Sequence, residues 1–211
     1  ARPAARLPTS GEALAIAYET FGSPCDPAVL LVMGFGTQML GWDADFCRLL
    51  ATHGRYVIRY DNRDCGLSAK LDQYPLQLGE FITAVASGNV ERAREMAPYS
   101  LRDMARDGAD LLTGLGIEQA HVVGSSMGGM IAQKMAIEFP DRVLSLTSMM
   151  SSTGEQDYGQ STAEAQQVLF STRPADRDGY VASAIAEQLA QAFAEGGGAE
   201  LRLVPAADLY R

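Results

Sequence analysis

The stretch Gln119-Ala-His-Val-Val-Gly-Ser-Ser-Met-Gly-Gly129 reads as a strand, a sharp turn and a helix. A short apolar run, Ala120 to Val123, reaches Gly124, and Ser126 sits at the centre of Gly-x-Ser-x-Gly. From Met130 the pattern turns helical, with Ile131, Met135 and Ile137 among good helix formers as far as Phe139. A serine at such a corner is held in a strained backbone conformation that projects its hydroxyl above the sheet edge. Glycines at 124 and 128 have a steric reason, because a side chain there would collide where strand and helix nearly touch. The Met127 amide at the helix N-terminus, reinforced by the helix dipole, would then face an oxyanion forming beside Ser126. The plainer alternative is a Gly/Ser turn with Ser125 or Ser126 as helix N-cap.

The 211 residues suffice for one domain with a sizeable core, and a 47% apolar content suits a globular protein. Seventeen basic against 26 acidic residues give a net charge of −9. Such a surface repels phosphate backbones and anionic lipid, which argues against nucleic-acid and membrane-surface partners. No apolar run reaches bilayer-spanning length. The three cysteines (Cys25, Cys47 and Cys65) match no metal-ligand spacing and read as reduced thiols of a cytoplasmic protein. The chain starts at Ala1 rather than Met, which leaves a removed leader open.

Outward from residues 119–129, strands alternate with helices. Leu14–Phe21 alternates as a strand; Ala28–Met33 and Tyr56–Tyr60 read as strands buried on both faces. Asp43 caps a helix carrying Phe46, Leu49 and Leu50, which Gly54 closes. A weaker helical region spans Leu78–Met96 with a break at Gly88-Asn89, and Ser100 with Asp103 resembles a capping box opening a helix to about Leu115. Val143–Met149 is a further strand. Helical stretches follow at about 163–171 and 176–194, and a last strand at Glu200–Val204. This order predicts an α/β fold with a mostly parallel sheet covered on both faces, in which ligands collect beyond the carboxyl ends of the strands. Residues 1–154 form the core, 155–198 a partial helical cap over the carboxyl edge, and 199–211 a last strand and tail of an incomplete C-terminal part.

Three motifs in the right order, Met33-Gly-Phe-Gly36, Asp61-Asn-Arg-Asp-Cys-Gly-Leu-Ser68 and Gly124-Ser-Ser-Met-Gly128, make the chain resemble the α/β-hydrolase superfamily. The wording of Gln38-Met-Leu-Gly-Trp-Asp43 and Arg59-Tyr-Asp-Asn-Arg63 is most similar to its aclacinomycin methylesterase and proline-iminopeptidase-like branch. The resemblance covers roughly residues 14–154. It implies a serine hydrolase acting on a carboxylic ester, with Ser126 as nucleophile and the amides of Met127 and Phe35 as oxyanion donors. Gly34 and Trp42 fall on the substrate side. Neither cofactor nor metal is implied, and the partner is a small hydrophobic ester. Met33 stands where the family usually has a largely structural His.

The resemblance breaks at the acid and base. His121 lies five residues upstream of Ser126 on one strand, roughly 16 Å away at about 3.3 Å per residue. His53 precedes the Tyr56 strand and so belongs to the opposite edge. The family's Gly-Asp-x-Asp is absent, and Asp208 and Leu209 stand where two small residues, Gly and His are expected after Val-Pro. Three explanations stay open: a truncated or internally deleted esterase, a hydrolase-like binding protein without catalysis, or a complementing chain or homodimer partner that completes the sheet. A thioesterase or perhydrolase would use the same front half. Asp61, Arg63 and Asp64 could form an acid/base cluster, but a turn held by Asx bonds and an Arg–carboxylate pair is the plainer reading. Trp42, Met39 and Leu40 read equally as pocket lining or core.

Overall fold

The computed structural model describes residues 4–9, 12–72, 78–154, 176, 179 and 204–205. By its contacts the chain divides into one unit of residues 1–153 with 203–211 and a second of residues 154–202. The helices expected at 163–171 and 176–194, and the cap expected over 155–198, lie outside the described residues apart from Asp176 and Gly179.

The first unit is built on a seven-stranded sheet: β1 (Ala4–Thr9), β2 (Glu12–Phe21), β3 (Ala28–Val32), β4 (Tyr56–Tyr60), β5 (Ala120–Ser125), β6 (Val143–Met149) and β7 (Val204–Pro205). Their order across the sheet is β1-β2-β4-β3-β5-β6-β7. β4, β3, β5 and β6 run parallel, and β2 lies antiparallel to β4. Helices α1 (Ala44–Thr52), α2 (Leu78–Ala86), α3 (Val90–Met96), α4 (Leu101–Gly114) and α5 (Met127–Glu138) connect the strands.

The unbroken apolar run of β3 is explained by its two buried faces. Ala28, Leu30 and Val32 belong to the larger core cluster, with Met104, Ala105, Leu111 and Leu112 of α4 and Ile131, Ala132 and Met135 of α5. Val29, Leu31 and the following Met33 join Trp42, Cys47 and Val57 in a smaller cluster on the opposite face. Each fully buried Leu, Ile or Val in these layers contributes about 1.5–3 kcal/mol relative to exposure.

Local signals account for the helix ends. The Asp43 carboxylate accepts from the Asp45 amide at 2.7 Å, and Ser100 with Asp103 forms a reciprocal capping box at the start of α4. The break at Gly88-Asn89 separates α2 from α3, with Asn89 capping α3 through the Arg92 amide. Two strands depart from expectation. β1 has no counterpart in the sequence reading; as the outermost strand, paired among the described residues with β2, it tolerates Pro8. The expected strand at Glu200–Val204 is realised at Val204–Pro205, antiparallel to Ser145 and Leu146 of β6, and residues 200–203 lie outside the described set. No helix among the described residues is long and apolar enough to cross a membrane.

Candidate active site

β5 ends at Ser125 and α5 begins at Met127, so Ser126 alone makes the corner. Its φ of 55° and ψ of −124° lie where a non-glycine residue costs about 1–3 kcal/mol. Neighbours hold it there. The Ser126 amide donates to Met149 O at the end of β6 (2.8 Å), and the Ser126 carbonyl accepts from Gly129 N (2.9 Å). Its side chain makes no capping hydrogen bond, which sets aside the N-cap explanation of this serine.

The flanking glycines are required by contact with backbone. A Cβ on Gly124 would stand 2.1 Å from Gly128 O, and one on Gly128 would stand 2.2 Å from Val32 O. Gly34 is equally close to the corner: a Cβ there would meet Ser126 Cβ at 3.1 Å and Ser126 Oγ at 3.5 Å. The loop after β3 is thereby laid against Ser126. Phe35 follows at its tip, 64% exposed, with Gly36 at a φ of +64°. Among the described residues, the amides of Phe35 and Met127 find no acceptor.

Trp42 is buried in the smaller core cluster, its ring stacked on Phe46 at 6.0 Å between centroids. Its carbonyl accepts from the Arg59 guanidinium, which also pairs with Glu19. Met39 is fully buried and Leu40 half exposed. Met33 is buried beside Gly41, where a Cβ would overlap its methyl group.

The Asp61–Ser68 loop is a scaffold. Arg63 forms a two-point pair with Asp107 of α4, Nε to Oδ2 and Nη2 to Oδ1 both at 2.7 Å, and its guanidinium lies over the Tyr99 ring. Burial would lower the Arg63 pKa, but the Asp107 carboxylate outweighs it and holds the guanidinium firmly charged. Burial also pushes the Tyr60 phenol well above its usual range. Asp61 accepts from the amides of Met39 (2.7 Å) and Leu67 (2.8 Å), and Asn62 donates to Met33 O (2.8 Å). Sequence reasoning expected an Arg–carboxylate pair here but could not find its partner 44 positions away.

Both histidines stand away from Ser126. His121 lies on β5 beside Val29 and Ser145, with Nδ1 2.7 Å from Ser145 Oγ. Burial, with a smaller contribution from Arg55, lowers its pKa. His53 follows α1 and is exposed, its Nδ1 2.8 Å from Leu49 O. A groove of 630 Å³ near Thr113, Ile117 and Glu118 does not reach Ser126 either. Its Arg142 is consumed by Thr113 Oγ1 and the carbonyls of Ile117 and Glu118.

Known proteins share this fold. The chain is 31% identical over 140 residues to rhodomycin D methylesterase of Streptomyces peucetius, covering 66% of this chain and 40% of that enzyme. It is 43% identical over 130 residues to a protein of Azorhizobium caulinodans named as a carbamate hydrolase, RutD, covering 62% and 38%. The chain thus spans about two fifths of the length of these relatives. A crystal structure of a hydrolase from Pseudomonas aeruginosa PA01 superposes with a TM-score of 0.58 at 24% identity, over 92% of this chain and 62% of that one, which shows a shared fold. The family model described as the alpha/beta hydrolase fold matches residues 27–195, and the chain belongs to that family.

Proposed function

We propose that the protein is a serine hydrolase that cleaves a small to medium hydrophobic carboxylic ester through an acyl-Ser126 intermediate. One observation carries the reading: a serine at positive φ, with no capping bond, seated against Gly34 of the neighbouring loop. Ser126 Oγ attacks the ester carbonyl, the Oγ–C bond forms, and the hydroxyl proton passes to a base. The amides of Phe35 and Met127 stabilise the resulting oxyanion. Collapse breaks the C–O bond to the alcohol, which leaves with the proton, and water then hydrolyses the acyl-enzyme. No step in this sequence calls for a cofactor. Methyl-ester cleavage, named for the Streptomyces relative, is the specific substrate chemistry to try first.

Neither of the two histidines among these 211 residues stands beside Ser126, so neither serves as its base. Without a base only the slow residual catalysis of binding and oxyanion stabilisation remains. That placement favours a second reading, a non-catalytic ligand-binding protein. Hydrolysis of p-nitrophenyl butyrate and of aryl methyl esters, measured on this chain and on the product of the complete reading frame, separates the two. Ser126→Ala lowering the rate by about 10³-fold or more supports the hydrolase. Turnover indifferent to Ser126→Ala overturns the acyl-Ser126 route, and no turnover in either protein while it binds the esters supports the binding reading.

A further inference from the structure

The loop from Met33 to Met39 carries Phe35, yet little within the loop holds it. Two of its seven residues are glycines, Phe35 is 64% exposed, and its internal bonds are long: Thr37 N to Gly34 O at 3.4 Å and Thr37 Oγ1 to Phe35 O at 3.3 Å. Its two ends, in contrast, are fixed by consecutive side chains. Asn62 Nδ2 donates to Met33 O at 2.8 Å, and the Met39 amide donates to Asp61 Oδ1 at 2.7 Å. All four residues are buried, so neither bond competes with water. Only the amide nitrogen of Asn62 can face a carbonyl, so its orientation follows from its partner.

Asp61 and Asn62 are themselves immobilised, because they follow directly on the last residue of β4, which pairs with β3. The Asp61 amide donates to Ala17 O, its carbonyl accepts from Ser68 Oγ, and its second carboxylate oxygen accepts from Leu67 N. A Cβ on Gly66 would stand 2.0 Å from that oxygen, so glycine there makes room for the carboxylate. We infer that Asp61 and Asn62 are positioning residues that clamp both ends of the Phe35 loop and so set where the Phe35 amide meets the oxyanion. This rests on the proposed roles of Ser126 and Phe35. Neither side chain is a catalytic residue; each acts through the loop.

The test is the rate of phosphonylation by a fluorophosphonate probe in the product of the complete reading frame, resolved into kinact and KI. The expected result for Asn62→Ala is a fall in kinact of about tenfold to a hundredfold, the cost of misplacing one oxyanion donor by about 1 Å, with KI within about threefold. Amide ¹⁵N order parameters should drop from about 0.85 toward 0.6 at residues 34–37 and stay unchanged in α5. A merely structural role would lower stability without this split. Should Asn62→Ala not fold, Asp61→Asn, which keeps the volume and one acceptor, decides the same question. A folded variant with unchanged kinact overturns the clamp. A wild-type protein never labelled at Ser126 overturns the hydrolase reading and the clamp together, so the two failures are distinguishable.

Discussion

Gly124→Ala is the sharpest perturbation of the corner. The added methyl would stand 2.1 Å from Gly128 O, 2.4 Å from Gly128 C and 2.6 Å from Gly129 N, where ordinary contact begins near 3.4 Å. All three atoms are backbone of the first turn of α5, so no side chain can swing aside. That turn must retreat from the sheet by about 1 Å, and overpacking of this kind costs about 1–3 kcal/mol. Because backbone must move, the upper end is expected. About 3 kcal/mol lowers Tm by roughly 6–12 °C in a domain of this size. Urea unfolding followed by the fluorescence of Trp42 measures it cleanly, since it is the sole tryptophan and buried. Gly36→Ala is the control: open space surrounds it, and only its φ of +64° penalises alanine, at about 1–2 kcal/mol. A Gly124→Ala protein within about 0.5 kcal/mol of wild type, a change typical of an ordinary surface site, would refute the steric argument.

Other sites give independent outcomes. Arg63→Leu leaves Asp107 buried without its partner and should cost about 3–5 kcal/mol, whereas Arg63→Met with Asp107→Leu should recover much of that loss in the same urea assay. Ser68→Ala removes the acceptor of Ala17 N and the donor to Asp61 O in a buried setting, a loss of about 1–3 kcal/mol by equilibrium unfolding. His121 has a folded pKa below its unfolded one, so the unfolded chain binds more protons as pH falls through the ordinary histidine range of about 6.5. Stability therefore declines on acidification until the folded imidazole also protonates. His121→Gln should flatten the urea midpoint between pH 7.5 and 5.5, and an unchanged slope would assign the decline to other groups.

What the residues announced in advance follows their range of interaction. The corner at Ser126, the strand Tyr56–Tyr60, the Asp43 cap and the Ser100–Asp103 box depend on neighbours within a few positions, and each is present as expected. Gly124 and Gly128 were legible because backbone contact leaves room for nothing else. Long-range pairing was not. Asp107 reads as one more polar residue of an amphipathic helix until α4 brings it beneath Arg63. Asp61 and Asn62 looked like turn residues because their partners, Met33 and Met39, belong to another loop. β1 had no counterpart in the sequence reading, and its outer position is what accommodates Pro8.

The proposed nucleophilic role of Ser126 is open to direct chemical trapping. Incubating the product of the complete reading frame with a fluorophosphonate and mapping the adduct by peptide mass spectrometry should place a single phosphonyl group on Ser126, absent in Ser126→Ala. Modification of another residue, or an unmodified mass in a protein that unfolds cooperatively, would contradict a nucleophilic role for Ser126.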